Sequence, residues 1–308
     1  MTSQNIQPAT SLSRRRLLGA AAAMTAIATP LARAADGWQP ALLQQARQLD
    51  LTSPITGQTY RIFISIPSTP PPANGYPVLY ALDGNASFPT LALMARTTVR
   101  RNAATGATPP VVVGIGYPGE NDYDIARGRD YTPPSGAAGP AKEGGADLFL
   151  DFIGRELKPR IARLAPLDPA RQALYGHSYG GLCTLHALFT RPALFQTYLA
   201  ASPSIWYGNR AVLANMEGFN RRLAALPVKP ALMLAVGELE QPSSASGPLD
   251  ARQTIAAGRR MVDEARELAE RLQAAKSLSR VTYHLLAHEN HGSATFPAMA
   301  RGLEFFLG

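Results

Sequence analysis

Cysteine is almost absent from this sequence: Cys183 is the single cysteine in 308 residues. One thiol cannot form an intramolecular disulfide, so the fold must be held together by its hydrophobic core. We expect Cys183, which lies in an apolar segment, to be a small core residue. Beyond its first residues the sequence also lacks runs of Lys and Arg and basic stripes interleaved with aromatic residues, so no nucleic-acid partner is predicted.

Acidic residues are missing from the first 34 positions, which contain four arginines. Arg14, Arg15 and Arg16 precede an apolar segment too short to span a bilayer, and Ala32-Arg33-Ala34 fits a small-x-small cleavage site. This pattern predicts a twin-arginine (Tat) export signal over residues 1–34. The Tat export machinery would then be a transient partner, and no stable membrane anchor would remain after cleavage. We expect the mature chain, from Ala35, to be periplasmic or secreted, with a net charge reduced from +8 to +4.

The rest of the chain, 35–308, has no internal repeat and no break in composition, which predicts one domain. Short apolar runs rich in β-branched residues alternate with segments of helical period. Such alternation is typical of an α/β fold with a mostly parallel central sheet and helices on both faces. The predicted strands are 58–67, 78–82, 111–115, 173–175, 198–201, 231–236 and 281–287, and the predicted helices are 88–99, 148–164, 182–190, 211–226 and 262–272. The polar segment 116–145, rich in Gly and Pro, predicts a loop over the active-site face.

The pattern most informative about chemistry is Gly176-His177-Ser178-Tyr179-Gly180, which lies between a predicted strand and a predicted helix. In that context Gly-x-Ser-x-Gly is the nucleophile elbow of α/β-hydrolases, a tight turn that exposes the serine hydroxyl. Gly176 and Gly180 would keep the turn free of Cβ clashes. The N–H groups that begin the following helix would stabilise negative charge near the serine. Ser178 is therefore the predicted nucleophile.

The base that activates such a serine should be a histidine, after the acid in chain order. His288 and His291 both follow the last predicted strand, and we favour His291, in the loop before the C-terminal helix. His177 is expected to point away from the serine, and His186 to pack in the core. The spacing of His288 and His291 also suggests a metal pair, but no cluster of further ligands accompanies it, so no metal is predicted.

The acid that orients the base should follow the predicted strand 231–236. Glu238 and Glu240 both stand there, and we favour Glu240. The acid is also the least costly member of a triad to lose.

The oxyanion of an ester-transfer intermediate needs two N–H donors. One is assigned to the backbone of Tyr179, directly after the serine. The other is assigned to the backbone of Asn85, in the Asp83-Gly84-Asn85 turn that follows the predicted strand 78–82.

Several segments together resemble a known group of proteins. That group is the esterase branch of the α/β-hydrolases, specifically the periplasmic esterases that open the trilactone of the siderophores enterobactin and salmochelin. The segments that carry the resemblance are Tyr80–Asn85, Gly128–Pro133, Gly176–Gly181, Ser202–Tyr207, Gly237–Glu240 and His291-Gly292.

The resemblance implies a serine ester hydrolase that acts on a small-molecule ester, an anionic ferric catecholate siderophore. No cofactor is implied, because iron would arrive as part of the substrate. The resemblance also leaves a Ser–His dyad without an acid open, since members of this group vary in the acid. Arg127 and Arg129 would then pair with the anionic substrate, and Trp206 and Tyr207 would stack against its rings. The sequence leaves open a general carboxylesterase acting on other small acyl esters, an acyltransferase and, outside enzymes, a ferric-siderophore binding protein.

Overall fold

A computed structural model of the protein describes residues 41–105, 108–136, 142–242 and 248–308. One compact unit runs from Leu43 to Gly308. The predicted export signal, 1–34, and the predicted mature start at Ala35 lie outside the described residues. Among the residues that are described, no helix combines the length and the apolar character needed to cross a membrane.

A single sheet organises the described chain. Its strands are β1 (Ala46–Thr52), β2 (Thr59–Ser65), β3 (Tyr76–Leu82), β4 (Val111–Gly116), β5 (Leu167–His177), β6 (Thr197–Ala201), β7 (Ala231–Gly237) and β8 (Arg280–Leu286). They lie in the order β1-β2-β4-β3-β5-β6-β7-β8. β2 runs antiparallel to both β1 and β4, and every other neighbouring pair is parallel. Because parallel strands end at one edge of the sheet, the loops after β3, β5, β6, β7 and β8 converge there.

The described helices connect these strands. They are α1 (Gly84–Thr105), α2 (Arg127–Tyr131), α3 (Ala146–Phe152), α4 (Lys158–Ala162), α5 (Tyr179–Thr190), α6 (Tyr207–Ala214), α7 (Phe219–Ala224), α8 (Ala251–Arg259), α9 (Met261–Ala275) and α10 (Thr295–Leu307). A π-helical turn, Ile153–Leu157, joins α3 to α4, and a short 3-10 turn, Glu238–Glu240, follows β7.

Alternation along the buried strands divides the core into two layers. In β3, Val78, Tyr80 and Leu82 face one layer, whereas Leu79 and Ala81 face the other. The first layer also contains apolar residues of α3, α5 and α9, and the second contains those of α1 and α10. Both faces of the sheet are therefore covered by helices, as the apolar runs in the sequence predicted.

All seven predicted strands are present, and β1 is a further strand that was not predicted. β1 is an edge strand, and its mixture of charged and apolar residues is half exposed, so it has neither a buried run nor a clean alternation. Gly75, directly before β3, has a positive φ, and the buried strand begins at Tyr76. Cys183 is fully buried, as expected.

The segment 116–145 was predicted to be a loop, and this was wrong for its middle part. α2 lies within it, and Tyr131 and Thr132 are completely buried. Residues 117–132 are held by polar contacts that periodicity does not detect: the Tyr117 hydroxyl bonds Oδ2 of Asp130 at 3.0 Å, and the Thr132 hydroxyl donates to the Gly128 carbonyl at 2.7 Å. The predicted helix 148–164 is confirmed as a continuous helical stretch in which α3, the π-helical turn and α4 follow one another, whereas the predicted helix 211–226 is divided between α6 and α7.

Candidate active site

The turn between β5 and α5 holds Ser178 in a backbone conformation that side chains rarely adopt, with φ at 61° and ψ at −117°. Its backbone N–H donates to the carbonyl of Ala201 at 3.0 Å, which ties the turn to β6. A Cβ on Gly176 would lie 2.2 Å from the Gly180 carbonyl oxygen, and one on Gly181 would lie 2.6 Å from that of Ala201. At Gly180 itself the nearest atom would be 3.3 Å away. The steric need for glycine is thus strongest at Gly176 and Gly181.

A chain of hydrogen bonds starts at the Ser178 hydroxyl. Its Oγ lies 3.0 Å from Nε2 of His291, whose Nδ1 lies 2.6 Å from Oε2 of Glu240. Glu240 is buried at the end of β7, whereas His291 lies in the loop between β8 and α10. Each of the three side chains therefore comes from a different loop at the carboxyl edge of the sheet.

The second carboxylate oxygen of Glu240 is held by two donors. Oε1 accepts from the Ser202 hydroxyl at 2.5 Å and from the Gly237 backbone N–H at 2.7 Å. Burial alone would raise the pKa of Glu240, but the hydrogen bonds from His291, Ser202 and Gly237 outweigh burial and lower that pKa below its ordinary value. Glu240 is thereby held as a carboxylate facing Nδ1 of the imidazole.

The competing candidates lie apart from Ser178. The Glu238 carboxylate is half exposed and accepts the backbone N–H of His288 at 2.9 Å. The His288 side chain is 93% exposed. Of the alternatives left open by the sequence, the structure brings His291 and Glu240 to the serine. Within the described ranges, no group of three or more His, Cys, Asp or Glu residues is arranged to hold a metal ion.

The two predicted oxyanion donors lie in the first turns of two helices. Tyr179 begins α5 and Asn85 is the second residue of α1, positions whose backbone N–H has no acceptor within an α-helix. The Asn85 side chain fixes the second turn: its Oδ1 accepts from the Tyr117 N–H at 2.9 Å, and its Nδ2 donates to the Tyr117 carbonyl at 3.1 Å. A Cβ on Gly84 would lie 2.7 Å from the Ile115 nitrogen, so glycine alone allows α1 to start this close to β4.

A cleft of about 890 Å³ opens over Ser178 and His291. Its apolar walls include Trp206, Leu239 and Met261. Its charged lining consists of Glu240 and three arginines, Arg127, Arg252 and Arg259. A serine with a base and a buried carboxylate, at the floor of a wide and mainly cationic cleft, is suited to attack on the carbonyl carbon of a sizeable substrate.

Known proteins share both the sequence pattern and the fold. The family model described as "Putative esterase" matches residues 53–290. The chain belongs to this esterase family. The esterase is 39% identical over 261 residues to the ferri-bacillibactin esterase BesA of Bacillus subtilis, with 81% of this chain and 85% of BesA covered.

A second curated relative of the esterase is the siderophore triacetylfusarinine C esterase of Aspergillus fumigatus, 41% identical over 242 residues, with 75% of this chain and 81% of the relative covered. The crystal structure of the BES protein from Bacillus cereus matches with a TM-score of 0.78 at 34% identity, covering 88% of this chain and 98% of that one. The protein is therefore a carboxylic-ester hydrolase with an α/β-hydrolase fold.

Of the predicted substrate-binding residues in the esterase, Arg127 lines the cleft but is already paired. Its Nε lies 2.7 Å from Oδ1 of Asp83, and its Nη2 lies 3.0 Å from Oδ2 of Asp83 and 3.3 Å from the His177 carbonyl. Burial raises the pKa of the Asp83 carboxyl group, and the Arg127 guanidinium opposes that rise. These contacts indicate that Arg127 holds the turn before Asn85 against the end of β5, next to Ser178.

Of the other three predicted substrate-binding residues, one lies at the cleft and two do not. Trp206 is half buried and forms part of the cleft wall. Arg129 is outside the cleft lining, and both of its guanidinium arms are bound to Asp130, at 2.7 and 2.8 Å. Tyr207 is only 2% exposed, because its ring packs edge-on against Tyr179 at 5.6 Å. The structure thus brings neither Arg129 nor Tyr207 into contact with the cleft.

Two residues at the site of the esterase were missed or misplaced by the sequence analysis. Ser202, whose hydroxyl donates to Glu240, directly follows β6. Its position at the end of a predicted strand could have marked it as a residue of the site. His177 was expected to point away from the serine, and its contact with the base was missed: its ring lies 4.7 Å from the ring of His291, and its Nε2 lies 2.9 Å from the His291 carbonyl oxygen. This contact depends on how the loop after β8 folds back over β5, which no local pattern encodes.

Proposed function

We propose that the esterase hydrolyses the lactone ester bonds of a siderophore and uses Ser178 as the nucleophile. The observation that carries the proposal is the continuous hydrogen-bonded chain from Ser178 through His291 to Glu240 beneath the cleft. The siderophore part is supported by two relatives, which are named for action on ferri-bacillibactin and on triacetylfusarinine C. A trilactone of a catecholate siderophore is the substrate class proposed here.

In the first half of the reaction, the Ser178 hydroxyl attacks the ester carbonyl carbon while Nε2 of His291 takes its proton. The new negative charge on the carbonyl oxygen is held by the backbone N–H groups of Tyr179 and Asn85, each worth roughly 3–4 kcal/mol in the transition state. Glu240 keeps the imidazole oriented and stabilises its positive charge. The intermediate collapses when His291 passes its proton to the leaving alkoxide, which departs as an alcohol and leaves an acyl group on Ser178.

In the second half, a water molecule replaces the alcohol. His291 removes a proton from the water as its oxygen attacks the acyl carbon, and the same N–H pair holds the second oxyanion. Collapse of that intermediate returns the proton to Ser178 and releases the carboxylic acid. These steps use side chains and backbone N–H groups of the protein together with water, and any iron takes part as cargo of the substrate.

The compartment in which this takes place is also proposed from sequence. Residues 1–34 would act as a Tat-type export signal, so that the domain 35–308 works in the periplasm or outside the cell. The support is the arginine run, the short apolar segment and the small-x-small site described above. Replacing Arg14 and Arg15 together by Lys should retain the full-length chain in the cytoplasm. N-terminal sequencing of exported wild-type protein should begin at Ala35.

Mass spectrometry of the products tests the reaction itself. Wild-type protein should convert apo- and ferric catecholate trilactones into linear acids one water heavier, whereas Ser178→Ala should bind them without turnover. A para-nitrophenyl ester serves as the second substrate. Cleavage of the nitrophenyl ester with no trilactone cleavage would leave a general carboxylesterase, and transfer of the acyl group to an added alcohol in preference to water would reveal an acyltransferase. Residual hydrolysis by Ser178→Ala would remove this serine from the mechanism.

A further inference from the structure

The three arginines of the cleft are not equivalent. Arg127 is ion-paired with Asp83 in a half-buried position, so most of its charge is already compensated. Arg252 and Arg259 belong to α8, and in the described part of the chain neither has a carboxylate within ion-pair distance. The cleft therefore has two positive charges that the protein itself does not neutralise.

The single carboxylate in the cleft lining does not offset them. Glu240 is buried, and its oxygens are bound by His291, Ser202 and Gly237. The net charge that a bound molecule meets in the cleft is therefore set by Arg252 and Arg259. Since the two residues lie about two helical turns apart, they project from the same side of α8.

An aromatic ring accompanies one of these charges. The guanidinium carbon of Arg259 lies 4.4 Å from the centre of the Trp206 ring, and that ring lies 6.3 Å from the ring of Tyr179. Tyr179 is the residue directly after Ser178, so this pair of cation and aromatic ring is next to the proposed nucleophile. Guanidinium groups recognise planar oxyanions through forked hydrogen bonds and also stack on aromatic faces.

Hydrophobic packing does not explain why α8 lies where it does. None of its residues is buried, although Ala256, Arg252 and Arg259 line the cleft. A surface arginine is ordinarily surrounded by water on all sides. Here both arginines are placed on the wall of the cavity that contains Ser178 and His291, where a bound substrate would displace part of that water and strengthen the electrostatic attraction.

We propose that Arg252, Arg259 and Trp206 form a subsite that receives a negatively charged aromatic group of the ester substrate. The subsite makes the enzyme select anionic aromatic esters over neutral ones of the same shape. The inference rests on the proposed function, because it presupposes that Ser178 cleaves esters bound in this cleft. It assigns substrate recognition to α8 and not to Arg127 and Arg129.

A matched pair of substrates tests the subsite. Para-acetoxybenzenesulfonate and para-acetoxybenzenesulfonamide are aromatic acetates of nearly equal size that differ by one negative charge. The ratio of their kcat/KM values, anionic over neutral, is the selectivity to be measured. We expect wild-type selectivity of about tenfold for the anion, equivalent to one good charge-assisted contact. Selectivity should decline as salt is raised, because the cleft is open to solvent.

The variants are Arg252→Gln, Arg259→Gln and the double substitution, each of which removes the charge but keeps a polar, unbranched side chain. The double variant should lose the selectivity for the anion, and Trp206→Leu should reduce it. Arg271→Gln, on the exposed side of α9 away from the cleft, is the matched control and should retain wild-type selectivity. Thermal denaturation of every variant verifies folding, which is expected to be intact because α8 has no buried residue.

Two results would overturn the subsite. Wild-type enzyme could cleave both acetates with equal kcat/KM, or the double variant could keep the wild-type ratio. In either case the proposed esterase function would stand without the subsite. If wild-type enzyme cleaved neither acetate and no trilactone, the proposed function itself would fail and the subsite with it.

Discussion

His177 and His291 are joined by a hydrogen bond of 2.9 Å from Nε2 of His177 to the backbone carbonyl oxygen of His291. Because a carbonyl oxygen only accepts, the proton of the His177 ring must be on Nε2. His177 directly precedes Ser178 in the chain. The residue beside the proposed nucleophile therefore holds the loop that carries the proposed base, and it fixes the distance between the two independently of the Ser178–His291 bond itself.

Removing that bond should lower turnover. His177→Leu should reduce kcat by about 10- to 100-fold, since small displacements of a base are costly, with little change in KM. His177→Gln keeps an N–H donor near the position of Nε2 and should recover most of the loss. Steady-state kinetics on a para-nitrophenyl ester measures both variants. If His177 served only to pack against its neighbours, the apolar His177→Leu variant should keep as much kcat as His177→Gln.

His177 should also make stability depend on pH. Burial above all, and the neighbouring His291, lower the pKa of His177 to about 4 from an ordinary value of 6.5. Between these two values the unfolded chain binds a proton that the folded chain does not. The free energy of unfolding should therefore fall by about 3 kcal/mol as the pH is lowered from 6.5 to 4, and this group contributes nothing above 6.5.

Urea unfolding at a series of pH values checks this window. The His177→Gln variant has no group that titrates at this position, so its free energy of unfolding should decline less steeply than that of wild type over the same interval. Parallel slopes for the two proteins would show that the ring is protonated in the folded state as readily as in the unfolded chain.

The two glutamates after β7 should differ sharply in their effect on catalysis. Glu240→Gln removes the carboxylate that faces Nδ1 of His291 at 2.6 Å and should lower kcat by about 10²- to 10⁴-fold. Glu238→Gln changes a half-exposed side chain that contacts only the loop of His288, so its kcat should stay near wild type. A larger loss for Glu238→Gln would reverse the assignment of the acid.

The pair formed by Asp83 and Arg127 should act as one structural unit. Arg127→Gln leaves the buried Asp83 carboxylate without its counter-charge and should destabilise the fold by about 3–5 kcal/mol. Asp83→Asn combined with Arg127→Gln should cost less than the two separate changes added together. A double-mutant cycle by urea unfolding measures this coupling. Additive effects, with a raised KM for anionic esters in Arg127→Gln, would instead support direct contact between Arg127 and substrate.

The order of most elements and the positions of Ser178 and His291 could be predicted from the sequence, because each depends on a short pattern at the end of an apolar strand. The choice between Glu238 and Glu240 could not be derived from the sequence in the same way. It depends on the 3-10 turn after β7, which directs Glu240 inward to Ser202 and the Gly237 N–H.

Substrate contacts were harder to predict than catalytic geometry. Arg127 and Arg129 are close in sequence, but the structure pairs them with Asp83 and Asp130, respectively, and these partners depend on how α2 packs against the sheet. The position of Arg252 and Arg259 depends on how α8 packs on the domain. None of the residues of α8 is buried, so no apolar pattern in the sequence predicts which side of this helix faces the protein. Charge in a sequence thus predicts the sign of a surface but not which charges remain unpaired.

Four residues other than glycine have positive φ directly at the functional edge of the sheet, in the turns after β3, β5, β6 and β8: Asp83, Ser178, Ser202 and His288. Each such conformation costs of the order of 1 kcal/mol that a glycine would not incur. Selection for heat resistance alone would therefore favour glycine at these positions, and at Ser178 it would remove the hydroxyl of the proposed nucleophile. Directed evolution of this esterase by thermal challenge without an activity screen should accordingly enrich well-folded, inactive variants.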